Sequence, residues 1–153
     1  MSEPIQFTDT SARFGLPFLR AGQSQKEFFV NEAFTLSDFL HHTSILGVLQ
    51  SPPATPTDGD VWLIENGATA EWTGQDGKLA GWFGNVWHYI APSAGMRVFD
   101  QAAGQFALFS ADWQYAARPA AVVDGPVIDA ELRAAFNELI EALGTAGVFP
   151  VTA

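Results

Sequence analysis

The side chains able to do chemistry in this sequence are few and poorly grouped. Its three histidines are His41, His42 and His88. Adjacent residues on a helix or strand point apart, so His41 and His42 form no metal clamp and read as residues of a helix end. His88 lies between Trp87 and Tyr89 in a run with strand character, which places it on the opposite face from both aromatics and toward solvent. None of the serines stands in a Gly-x-Ser-x-Gly setting, so no nucleophile elbow is marked. Gly74-Gln75-Asp76-Gly77 lacks the length and the following Lys-Ser/Thr of a phosphate loop and reads as a turn. A glycosidase needs two carboxyl groups across a sugar ring. Glu65, Glu71, Asp76, Asp100 and Asp112 all fall in one stretch, yet nothing in their spacing pairs them. Asp76 and Asp112 suit turns, and Glu71 beside Trp72 is the first candidate if hydrolysis is sought. The expectation is that the chain has no catalytic residues, no metal ligands and no cofactor, and is not an enzyme.

Tryptophan is the more informative residue type. Trp62, Trp72, Trp82, Trp87 and Trp113 crowd into one part of the sequence, and indole faces stack on sugar rings as readily as on a core. Burial is the default reading for each. Trp72, Trp82, Trp87 and Trp113 are the candidates for facing a glycan, with Trp72 and Trp82 the expected exposed pair because Thr and Gly flank them.

The composition narrows the possible partners. Seventeen acidic against seven basic side chains give a net charge of -10, and the few Lys and Arg form no patch, so neither nucleic acid nor an anionic membrane is an expected partner. The absence of cysteine removes any disulfide framework or thiolate site. No window approaches the length of a membrane span, and residues 1–15 lack the apolar run of a signal peptide. The chain is therefore expected to be made in the cytoplasm without a signal peptide and not to insert in a membrane.

The elements that must position these residues follow from patterning. Residues 1–15 read as an extended N-terminal arm, and 16–50 as a helical segment. Ser24 and Glu27 have the spacing of a capping box, which predicts a helix from about Gln25 to about His41. Phe28, Phe29, Glu32, Ala33, Leu36, Phe39 and Leu40 form its apolar stripe, with Asn31, Thr35 and Asp38 elsewhere on the helix. Thr43 to Leu49 has strand character. Residues 51–118 hold short apolar runs between turn residues, the pattern of a Trp-rich antiparallel β domain. Within it, Gly77 to Tyr89 resembles Gly104 to Tyr115 with one residue deleted, each copy reading as one hairpin with Gly84-Asn85 or Ala111-Asp112 at the turn. Residues 119–153 read as a linker and a C-terminal helix opened by Asp129 and stopped by Gly144 or Gly147. Leu132, Phe136, Leu139 and Leu143 are spaced four, three and four, which suits equally a helix docked on its own sheet and a helix bundle about a symmetry axis. The fold class is thus α+β: an N-terminal helix, a small antiparallel meander or barrel-like domain of repeated hairpins, and a C-terminal helix.

One ordered set of residues carries a family resemblance. Gly15-Leu16-Pro17-Phe18-Leu19-Arg20-Ala21-Gly22-Gln23-Ser24-Gln25-Lys26, then Asn31-Glu32-Ala33, Ser51-Pro52-Pro53, Asp58-Gly59-Asp60 and Gly67-Ala68-Thr69 together resemble a domain of unknown function from alphaproteobacterial prophages and gene transfer agents. The resemblance covers roughly residues 14 to 115. It implies a structural component of a phage-type tail, a tail-fibre or baseplate protein, located in the virion, homotrimeric and engaged in host-surface attachment. Its partners would be other tail or baseplate proteins and a host-surface glycan. On that reading Phe14, Leu16, Phe18, Gln23, Gln25, Lys26 and Asn31 are candidates for attachment to the virion, and Leu132, Phe136, Leu139 and Leu143 for oligomerisation. No catalytic residue comes with the resemblance. The chain differs from the expected pattern in Phe28-Phe29-Val30, where a more polar helix segment is expected. A freestanding carbohydrate-binding module and a virion-associated glycan hydrolase are the alternatives.

Overall fold

A computed structural model of the chain describes residues 9–22, 26–120 and 129–150. Its elements in order are α1 (Lys26–His41), β1 (Ser44–Ile45), β2 (Val48–Leu49), β3 (Val61–Ile64), a 3-10 turn (Ala70–Trp72), β4 (Leu79–Phe83), β5 (Val86–Ile90), β6 (Arg97–Asp100), β7 (Gln105–Phe109), β8 (Trp113–Tyr115) and α2 (Ala130–Thr145). The class is α+β, with a helix toward each end. The chain divides into two compact units, Met1–Ser44 with Val48–Ala91 and Ile45–Gly47 with Pro92–Ala153.

The first unit is built on a mixed sheet of order β2-β3-β4-β5. β3 is central and buried along its whole length, which is why Val61-Trp62-Leu63-Ile64 runs apolar without alternation: both its faces are covered. On one face Trp62, Ile64 and Ala80 pack with Trp72 of the 3-10 turn. On the other, Phe39 of α1 lies over Gly81 so closely that a Cβ there would stand 2.4 Å from the ring. Side chains as deeply buried as Phe39, Trp72, Val61 and Leu79 contribute about 1.5–3 kcal/mol each. β4 and β5 are joined by Gly84 and Asn85, both at positive φ (60° and 61°). That two-residue turn matches the twist of the strands it joins.

The second unit repeats the plan. Its sheet has the order β1-β6-β7-β8, so in each sheet a two-residue strand flanks a three-stranded antiparallel meander. The agreement reaches single hydrogen bonds: Glu65 N–H donates to the Leu49 carbonyl in one sheet, as Gln101 N–H does to Ile45 in the other (2.9 and 3.0 Å). The repeated hairpins of the sequence are β4–β5 and β7–β8. Trp82 faces Trp87 across the first, and Phe109 faces Trp113 across the second, with ring centroids 4.8 and 5.2 Å apart. The one-residue deletion is absorbed in the loop: a bonded pair and two turn residues separate Trp82 from Trp87, whereas Ser110-Ala111-Asp112 alone separate Phe109 from Trp113.

Helix α2 belongs to this unit. Asp129 caps its N-terminus by accepting from Leu132 N–H (2.8 Å). At the other end Val148 N–H donates to Leu143 and Gly147 N–H to Gly144, a Schellman ending that needs the positive φ (73°) of Gly147. Gly147 is thus the stop, and Gly144 lies inside the helix, buried.

Three expectations are corrected. The six strands between 51 and 118 fall in two separate sheets, each completed to four strands by β1 or β2, and neither closes into a barrel. Thr43 to Leu49 is no single strand, because Gly47 separates two short ones that join different sheets. The inward face of α1 carries Thr35, Asp38 and Phe39, while Phe28 and Phe29 of the expected apolar stripe are 69% and 72% exposed. Asp38 turns inward because a neighbouring segment needs acceptors there, as described below, while the Thr35 hydroxyl is satisfied by donating to the Asn31 carbonyl one turn back.

Candidate functional site

The arm before α1 is held by the helix itself. Asp38, 1% exposed, accepts hydrogen bonds from the Ser11 hydroxyl (2.6 Å) and from the N–H groups of Arg13 (2.8 Å) and Phe14 (2.9 Å). The Ser11 hydroxyl in turn accepts from Leu16 N–H, and a bridge between Thr10 and Pro17 closes the loop. Arg13 then reaches past the helix end and donates to the carbonyls of Phe39, His42 and Ser44, a cation at the negative end of the helix dipole. Burial lowers the pKa of its guanidinium, and Asp38 and Asp60 oppose that shift.

Several candidate attachment residues have structural partners here. Asn31 accepts from Leu19 N–H (2.8 Å) and donates to the Leu19 carbonyl (3.0 Å), so its amide is spent on the arm. Phe18 packs edge-on against Phe83, and Phe14, 52% exposed, against His41. Leu16 is half-buried and Lys26 exposed at the helix start. Gln23, Ser24 and Gln25 lie outside the described residues.

The indoles of the first unit form one cluster around Trp87. Its ring lies 5.8, 5.1 and 4.8 Å from those of Trp62, Trp72 and Trp82. Its Nε1–H donates to the Glu71 carboxylate (2.9 Å), and Tyr89 donates its hydroxyl to the Glu71 carbonyl (3.0 Å). The Tyr89 phenol is raised in pKa by burial and then by the Glu71 charge. Trp72, expected to be exposed, is wholly buried and has no face for a sugar. Thr73, which suggested exposure, instead closes the 3-10 turn that carries Trp72 inward, its N–H and hydroxyl both donating to the Ala70 carbonyl, and Ala70 takes a positive φ (54°). Trp82, Trp87 and Trp113 are half-buried. His88, read as solvent-facing, packs instead near Phe39 (6.2 Å).

The carboxylates considered for hydrolysis that have partners are engaged in building the fold. Glu71 orients Trp87. Asp76 accepts from Gly67 and Ala68 N–H (2.6 and 3.0 Å), and those two bonds hold its carboxyl below the usual range. Asp100 accepts from Ala102 and Ala103 N–H and from the Tyr115 hydroxyl (2.8 Å). The Tyr115 phenol is raised by burial first and by Asp100 second. Among the described residues no group of three or more His, Asp or Glu is placed to hold a metal, and no helix is long and apolar enough to cross a membrane.

Two surfaces of the described residues bear on binding. A cleft of about 840 Å³ runs between α1 and β5 in the first unit, with Phe28, Glu32 and Leu36 on one wall and Trp87 and Tyr89 on the other. In the second unit, α2 presents Leu132 (66% exposed), Phe136 (41%) and Leu139 (53%) outward, with Leu143 half-buried. The helix docks instead through Ile140 and Gly144, steadied by Arg118, which pairs with Glu141 and donates to the Pro150 carbonyl. Sequence reasoning missed the cleft because it lies between residues far apart in the chain. The apolar Phe28-Phe29-Val30, where a more polar segment was expected, was its one visible signal.

No curated protein matches the chain. A family described as a protein of unknown function (DUF2793) matches residues 30–114, which takes in most of α1 and all eight strands but for the last residue of β8. With more than half its length matched, the chain belongs to the DUF2793 family.

Proposed function

We propose that the chain is a non-catalytic structural component of a phage-type tail, a fibre or baseplate protein of alphaproteobacterial prophages and gene transfer agents, that assembles as a homotrimer and contributes to host-surface attachment. The observation that carries the reading is the outward stripe of α2. Leu132, Phe136, Leu139 and Leu143 have the four-three-four spacing that fills the seam of a helix bundle, and the first three are exposed. The residues flanking that seam are Arg133, Ala135, Ile140 and Ala142, while Glu131, Glu138 and Glu141 fall away from it. In a chain of net charge -10, a stripe clear of carboxylates removes the like-charge repulsion that self-association would otherwise meet. The family resemblance supports the tail assignment itself.

The test is cosedimentation in cells that produce tail particles. The chain sediments with the particles, and Phe136→Glu with Leu139→Glu, placed on exposed positions, leaves it at the top of the gradient and reduces a trimeric mass in light scattering to a monomeric one. Complete tails that form and adsorb without the chain overturn the proposal. A carbohydrate-binding reading draws support from the half-exposed Trp82 and Trp113 and predicts saccharide-dependent quenching of Trp fluorescence.

A further inference from the structure

The open edge of β5 has the geometry of a strand-addition site. β5 is the last strand of its sheet, bonded to β4 on one side only. The two-residue turn makes Phe83 and Val86 the closing bonded pair, so Gly81 with His88 and Leu79 with Ile90 are the next bonded pairs along the hairpin. Trp82 confirms the phase, since its N–H and carbonyl turn the other way, to Asp60 and Gly59. It follows that the N–H and C=O groups of Trp87 and Tyr89 point away from β4, at the unpaired edge. Among the described residues no strand pairs with that edge.

The cleft beside it has the matching form. Val86, Trp87, His88 and Tyr89 all line it, and successive strand residues face opposite sides of a sheet, so a cavity touching all four runs along the strand's edge. The far wall carries Phe28, Glu32 and Leu36, spaced along one stripe of α1. The edge lacks Pro, Lys or a bulge, the usual devices that block strand pairing. The charged side chains in the lining are Glu27 and Glu32, with no Lys or Arg among them.

We propose that this edge and cleft bind an extended segment of another polypeptide as an added strand, about five residues long to match β5. Its alternate residues are apolar, against Phe28, Leu36 and Val86, and it carries a Lys or Arg facing Glu32. Backbone bonds to Trp87 and Tyr89 supply affinity, and the cleft and its carboxylates supply selectivity. The inference is independent of the tail reading and holds or falls without it.

The test uses the full chain and an array of octapeptides that alternate apolar residues with Lys, Glu or Thr. Lys-bearing octamers bind, Glu-bearing octamers bind at least fivefold more weakly, and N-methylation of the octamer's alternate amides abolishes binding. In the tightest complex the amides of Trp87 and Tyr89 become protected from hydrogen exchange. Phe28→Ser and Glu32→Lys, both at exposed positions, weaken binding at least threefold while leaving the unfolding midpoint unchanged. The proposal is overturned if no octamer binds above background, or if N-methylated octamers bind equally. It is also overturned if Trp87 and Tyr89 exchange is unaffected by binding, or if those amides become protected with rising protein concentration alone, which makes a second copy the occupant.

Discussion

Replacing Asp38 by Asn tests whether the arm before α1 is held by one carboxylate. The two side chains are nearly isosteric, so packing is kept and the effect reports hydrogen bonding. The carboxylate accepts three bonds: Oδ1 from the Ser11 hydroxyl and Phe14 N–H, Oδ2 from Arg13 N–H. An amide has one acceptor oxygen. If that oxygen keeps Ser11 and Phe14, its NH2 confronts the Arg13 N–H, donor against donor. A bond to a charged acceptor is worth about 1.5–3 kcal/mol, and a buried donor left unpaired costs about 1–3 kcal/mol. The two retained bonds become neutral and weaken as well, and the sum is about 3 kcal/mol. With a urea m-value of about 2 kcal/mol/M, the midpoint falls by about 1.5 M. Four of the five tryptophans lie in the same unit, so fluorescence follows the relevant transition. Hydrogen exchange supplies the local readout: the Arg13 and Phe14 amides lose protection ahead of the core strands. Ser11→Ala, which removes one donor to Asp38 and the acceptor of Leu16 N–H, produces a smaller loss of about 1–2 kcal/mol. A midpoint for Asp38→Asn within about 0.3 M of the parent, with both amides still protected, refutes the reasoning and means that apolar contacts hold the arm.

Three further outcomes are expected. Gly81→Ala, which drives a Cβ into the Phe39 ring, destabilises by about 2–3 kcal/mol, and adding Phe39→Leu recovers part of that loss in the same urea titration. Ala70→Gly relieves the positive φ before Trp72 and raises the thermal midpoint, by about 0.5–1 kcal/mol of stability once the added freedom of the unfolded chain is discounted. Tyr115→Phe removes the hydroxyl bonded to Asp100 and costs about 1 kcal/mol near neutral pH, discounted because the ring is part-exposed. Because the folded-state phenol is raised, the parent's advantage is full below the ordinary tyrosine value of about 10 and is lost as the pH climbs beyond it. Stability curves for parent and Tyr115→Phe therefore converge in alkali, and parallel curves there contradict the assignment.

Local chemistry was legible wherever a residue acts on its own neighbours. The Asp129 cap, a glycine stop at Gly144 or Gly147 and the Gly84-Asn85 turn each depend on a few adjacent dihedral angles, so residue type announces them, and the structure selects Gly147. The two hairpins were visible as a repeat for the same reason. That the repeat extends to whole sheets was not, because β1 and β2 are two residues long and acquire meaning only from their distant partners β6 and β3.

Which face of a helix turns inward depended on the fold. Periodicity marks where apolar residues align, yet Asp38 faces inward on α1 because the arm's donors meet it there, Thr35 is buried with its hydroxyl donating to the Asn31 carbonyl of its own helix, and the apolar Phe28 and Phe29 face outward. Burial of Trp72 was decided in the same way, by the turn that carries it beneath Trp62 and Trp87. The cleft beside β5 exists only because a helix and a strand separated by some fifty residues lie side by side. By itself the sequence determined the helices, the turns, the hairpin repeat and the acidic, cysteine-free character. The tertiary structure decided which of those surfaces are covered, since burial is a property of pairs of segments and a one-dimensional pattern records only one member of each pair.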